Sequence, residues 1–399
     1  MLVVAVLAAP SATAAGTHGR EAQRVRSRAS AGGHAPQIRG ASLKQDGPRL
    51  VWYVNLQERF HRITTLERKH QSLCLLLEWR HGGAVWGELC AASAPRGPVL
   101  RYRPIGPHRT RPFRTVPATV TYPHANSLRA SFTPASAHTS YHSTLRWQTE
   151  TLAGPAVCTL PSNGPNPCER RLPRRPTLLR LHVPQPVGCV AKGPEWVFHG
   201  PSSGRMIALT FDDGPWYDTP QFLNVLERKH VVATFFQIGD QISEYGQHGA
   251  LERRMLRDGD MIGDHTWSHP DVSGGGSFAA TQIRETADAI RGATGFYPCL
   301  FRAPYGSVST ALLNEARQMG FTTVQWDIDP RDWSLPGSAA IYQNVVSNAH
   351  PGAIVLQHDG GGPRYETLQA LPGEIDTLRA RGYRFVTITQ MLGYRLIYK

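Results

Sequence analysis

Two adjacent carboxylates, Asp212 and Asp213, follow a short apolar run and lie within Thr-Phe-Asp-Asp-Gly-Pro, residues 210–215. Two ionised carboxylates at the end of a buried strand lose hydration and repel each other. Such a pair is typical of a site where a cation lies between the two groups or where one of them acts as a base. Asp-Gly-Pro is also favourable turn chemistry, so a plain turn remains the alternative at this point.

Two histidines, His265 and His269, are spaced four residues apart. On one helical turn or in a tight loop, this spacing places two imidazoles on the same side. With Asp213 they form a set of two nitrogen ligands and one oxygen ligand, which suits Zn²⁺, Co²⁺ or another transition metal and leaves positions open for water and substrate. A solvated histidine pair is the alternative, but the carboxylates at an equivalent strand end favour the metal.

Three further residues fit the same chemistry. Arg302 is expected to pair with Asp212 and hold it ionised, although a surface salt bridge is the alternative. His358 follows an apolar run and is a candidate general acid, with a satisfied core histidine as the alternative. Asp332, next to Trp333, is a candidate to orient His358.

The polar clusters end short apolar runs that alternate with helical patterns, and this alternation predicts an α/β fold. The expected fold is a distorted (β/α) barrel of about seven strands whose functional side chains lie at the carboxyl ends of the strands, where barrel active sites lie. The apolar runs are residues 206–210, 232–236, 261–263, 300–301, 321–325, 353–356 and 384–388, and the helix candidates are residues 221–230, 251–258, 280–294, 310–319, 339–349 and 367–381.

Five ordered motifs resemble those of the polysaccharide deacetylases of carbohydrate esterase family four, which share the NodB homology domain. The resemblance covers about residues 205–392, just under half of the chain. The matching segments are Thr210–Asp213, His265–Pro270, Arg302–Tyr305, Asp329–Trp333 and Leu356–His358.

The resemblance implies metal-assisted hydrolysis of an N-acetyl amide that yields acetate and a glucosamine unit. It assigns Asp212 as the base that takes a proton from the attacking water. It assigns Asp213, His265 and His269 as the metal ligands. It assigns Arg302 as the residue that holds the base.

The same resemblance implies roles for five residues of the later motifs. The backbone N–H of Tyr305 would help to bind the oxyanion, and Leu356 would contact the acetyl methyl group. His358 would be the acid that protonates the leaving amine. Asp332 and Trp333 would tune that acid and line the pocket.

Two departures from the family pattern are visible. Asp264 stands where an Asn is expected before the first histidine. The loop at residues 271–278 is Gly-rich and follows the histidine motif directly, so it is expected to alter the substrate groove.

Residues 2–15 are apolar and small, as in the core and cleavage site of a secretory signal, and predict a secreted or cell-wall-associated protein. The basic n-region of such a signal is missing, and this leaves open whether residue 1 is the true start. The six cysteines fit an oxidising compartment. Cys74 with Cys90 and Cys158 with Cys168 are natural local pairs, which leaves Cys189 and Cys299, but six cysteines allow 15 pairings.

The rest of the chain predicts an accessory region before the barrel. Residues 16–40 are rich in Arg, Gly and Ala and are expected to be disordered. Residues 41–155 contain several short β patterns separated by Gly, Pro and Asn, which predicts a smaller, sandwich-like β-rich domain. Residues 156–204 contain many prolines and are predicted to be an ordered linker.

Charge is divided unevenly along the chain. Residues 1–200 hold 26 Lys and Arg against 9 Asp and Glu, whereas residues 201–399 hold 17 against 21. A basic β-rich domain beside a nearly neutral barrel suggests docking to an anionic cell-wall polymer. An Arg-rich solvated surface explains the charge equally well. Nucleic acid is not expected, because the chain shows no nucleic-acid motif, and no later run is long and apolar enough to span a membrane.

Peptidoglycan is the first substrate hypothesis. A chitooligosaccharide or acetylated xylan is the alternative polymer, because substrate choice lies in the loops rather than in the motifs. Two other classes stay open: a non-catalytic wall-binding protein in which the barrel is a scaffold, and a barrel amidohydrolase that acts on small cyclic amides. The oligomeric state is left open.

Overall fold

The computed structural model describes residues 23–26, 35–68, 70–80, 84–105, 112–141, 143–153 and 168–399. The chain divides into two compact units, Met1–Val183 and Pro184–Lys399. The predicted leader at residues 2–15 lies outside the described residues, and so does Cys158. No helix in the described part of the chain is long and apolar enough to cross a membrane.

The described residues of the first unit form two antiparallel sheets, one α-helix and a short 3₁₀ helix. One sheet has the strand order β1-β2-β3-β9-β8 and the other has the order β11-β10-β4-β5-β6-β7. The elements are β1 (Gln23–Arg26), β2 (Ile38–Asp46), β3 (Arg49–Leu56), α1 (Ile63–Arg68), β4 (Gln71–Arg80), β5 (Ala84–Ala94), β6 (Gly97–Ile105), β7 (Arg114–Val116), β8 (Ala118–Thr121), β9 (Ser127–Phe132), β10 (Thr144–Ala153) and β11 (Glu169–Arg180).

The core of the first unit lies between these two sheets. Trp52 and Leu43 from one sheet and Trp147 and Leu75 from the other belong to one buried apolar cluster. The indole N–H of Trp52 donates to Thr149 Oγ1 at 2.9 Å, so the polar edge of this buried ring is satisfied. The sandwich-like region is therefore present. Within this unit, Cys74 and Cys90 face each other on β4 and β5 and form a disulfide.

The stretches on both sides of the sandwich contain strands in their described parts. Residues 156–204, predicted to be an ordered linker, include β11, β12 (Pro186–Val190) and β13 (Trp196–Val197), and residues 16–40 include β1 and the start of β2. The prolines of β11 are tolerated because this strand is at the sheet edge and its pairing with β10 shifts register between Trp147 and Thr149.

The second unit is a curled parallel sheet with helices around it, and it confirms the predicted barrel. Seven strands follow the order β13-β18-β17-β16-β15-β14-β19, and β20 pairs alongside β14. The remaining elements are β14 (Met206–Gly214), α2 (Thr219–Lys229), β15 (Thr234–Gln237), α3 (Gly239–Glu244), α4 (Ala250–Asp258), β16 (Met261–Asp264), α5 (Gly276–Thr294), β17 (Leu300–Phe301), α6 (Thr310–Gln318), β18 (Thr322–Val324), α7 (Ser338–Asn348), β19 (Ala353–His358), α8 (Tyr365–Ala380), β20 (Arg384–Phe385), α9 (Ile388–Met391) and β21 (Arg395–Tyr398).

The parallel register decides which side chains meet at the carboxyl edge of this sheet. Asp212 on β14 is opposite His358 on β19. The two strands are distant in the sequence: Thr210 and Val355, which contact each other on the same strands, are 145 positions apart. The sheet also curls, because Ile328, which follows β18, forms a parallel bridge with Val355. Strand ends that are distant in the sequence therefore surround one site.

Two features close the second unit at its ends. Strand β12 pairs with β21 as an antiparallel ribbon, with Pro186 opposite Tyr398. Cys189 on β12 forms a disulfide with Cys299, which directly precedes β17. The predicted pairing of these two cysteines is therefore present. It fixes β12 to the start of β17, the strand that precedes Arg302.

Candidate active site

The end of β14 presents Asp212 and Asp213 to the same side. Neighbouring residues of a regular strand point to opposite faces. Here Asp213 has a φ of 68°, and the pairing of β14 with β15 shifts register between Asp212 and Gly214. As a result, Asp212 Oδ2 and Asp213 Oδ1 lie 3.8 and 3.4 Å from the same atom, Nε2 of His265.

The two histidines lie on a loop after β16 rather than on a helix. Their ligand atoms and that of Asp213 all lie within 4.8 Å of one another. Nδ1 of His265 is 2.7 Å from the carbonyl oxygen of Arg302, so Nδ1–H donates to this carbonyl and Nε2 keeps its lone pair. Nε2 of His269 lies 3.3 Å from Asp213 Oδ1.

These donors fit a divalent metal. Asp213 Oδ1 is buried and accepts no hydrogen bond, although two imidazole nitrogens face it. Burial alone would raise the pKa of Asp213, but the nearby His265, His358 and His269 lower it below its usual range. One carboxylate and two imidazoles that converge in this way could hold a metal ion and leave positions open for other ligands.

A glycine loop that the sequence analysis did not identify presses against Asp213. A Cβ atom at Gly360 would lie 1.9 Å from the Asp213 carbonyl oxygen, and one at Gly361 would lie 2.5 Å from Asp213 Oδ2. The buried Arg364 holds this loop, because its Nε donates to the Gly360 carbonyl at 2.6 Å and its Nη2 donates to that of Gly361 at 3.2 Å. Only glycine allows this close approach.

Arg302 is completely buried and lies beside Asp212. Its Nη1 donates to Asp212 Oδ1 at 2.7 Å and to Thr210 Oγ1 at 2.8 Å. Its remaining N–H groups donate to the carbonyl oxygens of Val324 and Gln325 at 3.0 and 3.1 Å. A buried guanidinium with this many partners is fixed in place, and it can hold a neighbouring carboxylate in one orientation.

His358 is joined to Asp332 by two hydrogen bonds. Nδ1 of His358 lies 2.8 Å from Asp332 Oδ1, and the backbone N–H of His358 donates to Asp332 Oδ2 at 2.8 Å. Burial lowers the pKa of His358, but the hydrogen bond and charge of Asp332, with the charges of Asp213 and Asp212, outweigh burial and raise this pKa to about 9. The imidazole is therefore protonated near neutral pH and can act as an acid through Nε2.

Thr367 at the start of α8 is a further member of this group that the sequence analysis missed. Its hydroxyl donates to Asp332 Oδ2 at 2.9 Å, and both residues are fully buried. Thr219 plays a similar part for Asp359, whose Oδ2 accepts its hydroxyl at 2.5 Å. Neither threonine lies in a recognisable motif, so residue type and spacing gave no signal for them.

The predicted substrate residues differ in exposure. Tyr305 is 71% exposed, and its ring lies 4.7 Å from that of His269 in an edge-on arrangement. Trp333 is 48% exposed, with the Arg331 guanidinium 5.2 Å from its ring. Leu356 is buried on β19. Two of the three can therefore contact a ligand from solvent directly.

Asp264, the departure from the family pattern, lies beside the first histidine. It is fully buried, and its Oδ1 accepts the Thr266 N–H at 3.0 Å. Burial raises the pKa of Asp264 well above its usual range. The oxygen that accepts the Thr266 N–H is one that the side chain of an Asn would also offer.

The second unit of the chain resembles known proteins in sequence. A family model described as polysaccharide deacetylase matches residues 199–324. A peptidoglycan-N-acetylglucosamine deacetylase of Bacillus cereus is 37% identical over 211 residues, which are 49% of this chain and 92% of that protein. The chain belongs to the polysaccharide deacetylase family. It is thus an enzyme, a hydrolase that acts on amide bonds.

Other polysaccharide deacetylases match with similar identity. The peptidoglycan-N-acetylglucosamine deacetylase PgdA of Listeria monocytogenes is 35% identical over 49% of this chain, which spans only 40% of that protein. A chitooligosaccharide deacetylase of Rhizobium leguminosarum is 38% identical over 47% of this chain and 93% of that protein. Identity alone therefore does not separate the two substrate classes.

Proposed function

We propose that this polysaccharide deacetylase is an exported, zinc-dependent enzyme that removes acetyl groups from N-acetylglucosamine units of peptidoglycan. One observation carries the proposal. The metal donor set of Asp213, His265 and His269 lies beside a carboxylate held by Arg302, at the same strand ends as a protonated histidine. This arrangement supplies a base, a cation site and an acid around one position.

The first half of the proposed reaction depends on Asp212. A metal bound by the donor set would polarise the acetyl carbonyl and lower the pKa of a water molecule. Asp212 takes a proton from this water as the water attacks the carbonyl carbon. The ion pair with Arg302 holds Asp212 in one orientation for this transfer. The backbone N–H of Tyr305 donates to the oxyanion that develops.

The second half depends on His358. Its Nδ1 is engaged by Asp332, so the proton available to the substrate is on Nε2. His358 gives this proton to the leaving amine, and acetate and a free glucosamine unit result. In this proposal, Leu356 on the same strand contacts the acetyl methyl group, and Trp333 contacts the sugar.

The choice of zinc rests on the donor types, because two imidazoles and one carboxylate with open positions suit Zn²⁺. The proposed export rests on the disulfides Cys74–Cys90 and Cys189–Cys299, because such bonds persist in oxidising compartments. The proposed polymer rests on the first of the relatives above, which is named for peptidoglycan.

The basic first half of the chain is proposed to bind an anionic polymer of the cell wall. Residues 1–200 carry 26 Lys and Arg against 9 Asp and Glu. A surface with this charge is attracted to phosphate or carboxylate groups, and the attraction weakens with salt. Pull-down on purified cell walls at low and high salt tests this part separately from catalysis.

Acetate release tests the catalytic proposal. Purified protein is stripped of metal, reloaded with Zn²⁺ or Co²⁺, and assayed on peptidoglycan, N-acetylchitopentaose and acetylxylan in parallel. We expect metal-dependent acetate from peptidoglycan. A chitooligosaccharide is the second candidate substrate, because the Rhizobium leguminosarum relative is equally similar. Wall binding without acetate from any polymer, with metal shown to be bound, would contradict the proposal and favour a non-catalytic wall-binding role.

A further inference from the structure

Glu374 on α8 is a fully buried carboxyl group that the proposed mechanism does not use. Its Oε1 and its Oε2 each lie 3.1 Å from Nε2 of Gln357, a side chain that is also fully buried. Gln357 is on β19 and directly precedes His358. Because neighbouring residues of a strand point to opposite faces, the Gln357 amide faces α8 and the His358 imidazole faces the site.

The amide of Gln357 is satisfied on one side only. Its Nε2 donates to Glu374, whereas its Oε1 is buried and accepts no hydrogen bond from the described residues. A buried acceptor without a donor costs free energy. A proton on Glu374 supplies the missing donor, because the terminal torsions of Glu and Gln turn readily and a carboxylic acid both donates and accepts. The acid and the amide then form a pair with one hydrogen bond in each direction.

The charged groups around α8 favour this neutral form. Helix α8 packs against α7, which has no charged residue and whose Tyr342 hydroxyl pairs with a threonine of α8 at 2.9 Å. It also packs against α2, whose charged residues are exposed or half-buried, and there Lys229 pairs with Asp376. Burial, and after it the charge of Asp332, outweigh the hydrogen bond from Gln357 and raise the pKa of Glu374 to about 8.

Helix α8 reaches the Asp332–His358 pair from two points. Thr367 donates to Asp332 Oδ2 at 2.9 Å. Glu374 lies two turns later on the same face of the helix and holds Gln357, the residue before His358. One point of contact therefore supports Asp332 directly, and the other supports the main chain that carries His358.

We propose that Glu374 is a positioning residue for His358, because its neutral carboxyl closes a two-way hydrogen-bonded pair with Gln357 and so fixes the end of β19. The inference rests on the proposed function, in which His358 is the acid. Ionised Glu374 cannot donate to Gln357, and its charge repels that of Asp332 inside the protein. Ionisation of Glu374 therefore sets an alkaline limit on the rate in addition to the limit set by His358.

Glu374→Gln tests the pairing, because a second amide stays neutral and can still donate to and accept from Gln357. Its thermal midpoint and its kcat near neutral pH should be close to those of the wild type. One pH unit above about 8, the metal-loaded wild type should have lost up to about tenfold more kcat than Glu374→Gln, because one ionisation reduces the neutral form by that factor. A ratio of the two kcat values that does not change with pH would overturn the inference.

An infrared difference spectrum between the wild type and Glu374→Gln reports the proton itself. The carbonyl stretch of a protonated carboxylic acid should appear in the wild type below about pH 8 and disappear above it. The isosteric Gln removes this band at every pH, so the other buried carboxyl groups cancel in the difference. A difference spectrum without the band near neutral pH would refute a neutral Glu374.

A titration without substrate separates this inference from the proposed function. The NMR signal of the His358 imidazole is followed against pH in the metal-free wild type and in metal-free Glu374→Gln. Ionisation of Glu374 should move this signal in a separate step near pH 8 in the wild type, and the variant should lack that step. Identical curves would refute the coupling. Absence of acetate from every polymer would refute the proposed function, and this titration would still decide the inference.

Discussion

Oδ1 and Oδ2 of Asp332 each accept a hydrogen bond of 2.8 Å from the same residue, His358, one from Nδ1 and one from the backbone N–H. The carboxylate thus fixes the ring and the main chain of its partner together. This bidentate contact explains why the imidazole keeps its proton although it is largely buried. The pKa of His358 should therefore respond to changes at Asp332.

Asp332→Asn is expected to lower the pKa of His358 from about 9 in the metal-free wild type toward or below the ordinary value of 6.5, because burial then acts without the opposing charge. NMR titration of the imidazole signals in metal-free protein measures the pKa of His358. Loading Zn²⁺ should also lower this pKa, because a cation would offset the charge of Asp213. A His358 pKa that stays near 9 in Asp332→Asn would contradict the account.

The raised pKa of His358 also predicts how stability depends on pH. The ion pair with Asp332 contributes fully below the unfolded-state pKa of about 6.5, and the contribution is lost as the pH rises through about 9. Between these two pH values, the urea concentration at the unfolding midpoint of the metal-free wild type should fall more steeply with rising pH than that of Asp332→Asn. Parallel curves for the two proteins over this range would rule out the coupling.

Thr367→Val removes the hydroxyl that donates to Asp332 at 2.9 Å. We expect kcat to fall ~10-fold with little change in KM, because outer partners of this type orient the acting group rather than bind substrate. The alkaline limb of the rate profile should move upward, since more of the Asp332 charge then acts on His358. Thr367→Ser keeps the hydroxyl and is the matched control. A loss of rate in both variants would indicate a packing role instead.

Asp212→Asn and His265→Ala separate the base from the metal site. Asp212→Asn should lower turnover by ~10²–10⁴-fold and still bind metal, because its carboxylate is held by Arg302 rather than assigned to the donor set. His265→Ala should lose metal affinity by at least ~100-fold. Metal content of the purified variants and acetate release measure both effects. Near-normal turnover in Asp212→Asn would remove its assignment as the base.

Metal should stabilise the folded wild type and leave His265→Ala unchanged. Ligand at about 100 times its Kd adds ~2.7 kcal/mol to the free energy of unfolding when it binds only the folded state. The thermal midpoint with and without added Zn²⁺ reports this difference. An equal increase in both proteins would place the bound metal elsewhere on the chain.

The disulfide between Cys189 and Cys299 closes a segment with a sequence separation of 110 residues. Replacing both cysteines by Ser should cost about 2–5 kcal/mol of stability and shorten the half-life of deacetylase activity on heating. The matched control replaces Cys74 and Cys90, which pair within the first unit. That control should leave the half-life of deacetylase activity close to the wild-type value.

The sequence was sufficient for the barrel because its signal is local and repeated. Most of the apolar runs end in a polar cluster, and the strand-end position of Asp212, His265 and His358 follows from that pattern. The supporting contacts were not accessible in this way. Thr367 and Asp332 are 35 positions apart, and Thr219 and Asp359 are 140 apart, so only the tertiary fold brings each pair together.

Backbone geometry was equally hidden from sequence reasoning. The positive φ of Asp213 turns two neighbouring carboxylates to one side. Asp adopts this conformation more often than most non-glycine residues, but it does so too rarely for the sequence to locate it here. The prolines of β11 also hide this strand from a reading of composition, because Pro173 and Pro176 are accommodated where the edge strand loses register with β10. Propensity describes single residues, whereas both outcomes depend on neighbouring strands.

The pairing of β12 with β21 has a consequence for how this catalytic unit can be reused. Pro186 and Tyr398 are opposite each other on one ribbon, so the incoming and outgoing ends of the barrel unit leave from the same place. A unit with adjacent ends can be grafted into a surface loop of an unrelated host without stretching either protein. A cassette cut at residues 184 and 399 would keep that ribbon whole, whereas one trimmed to residues 199–324 would lose both of its strands and with them β19, which carries His358.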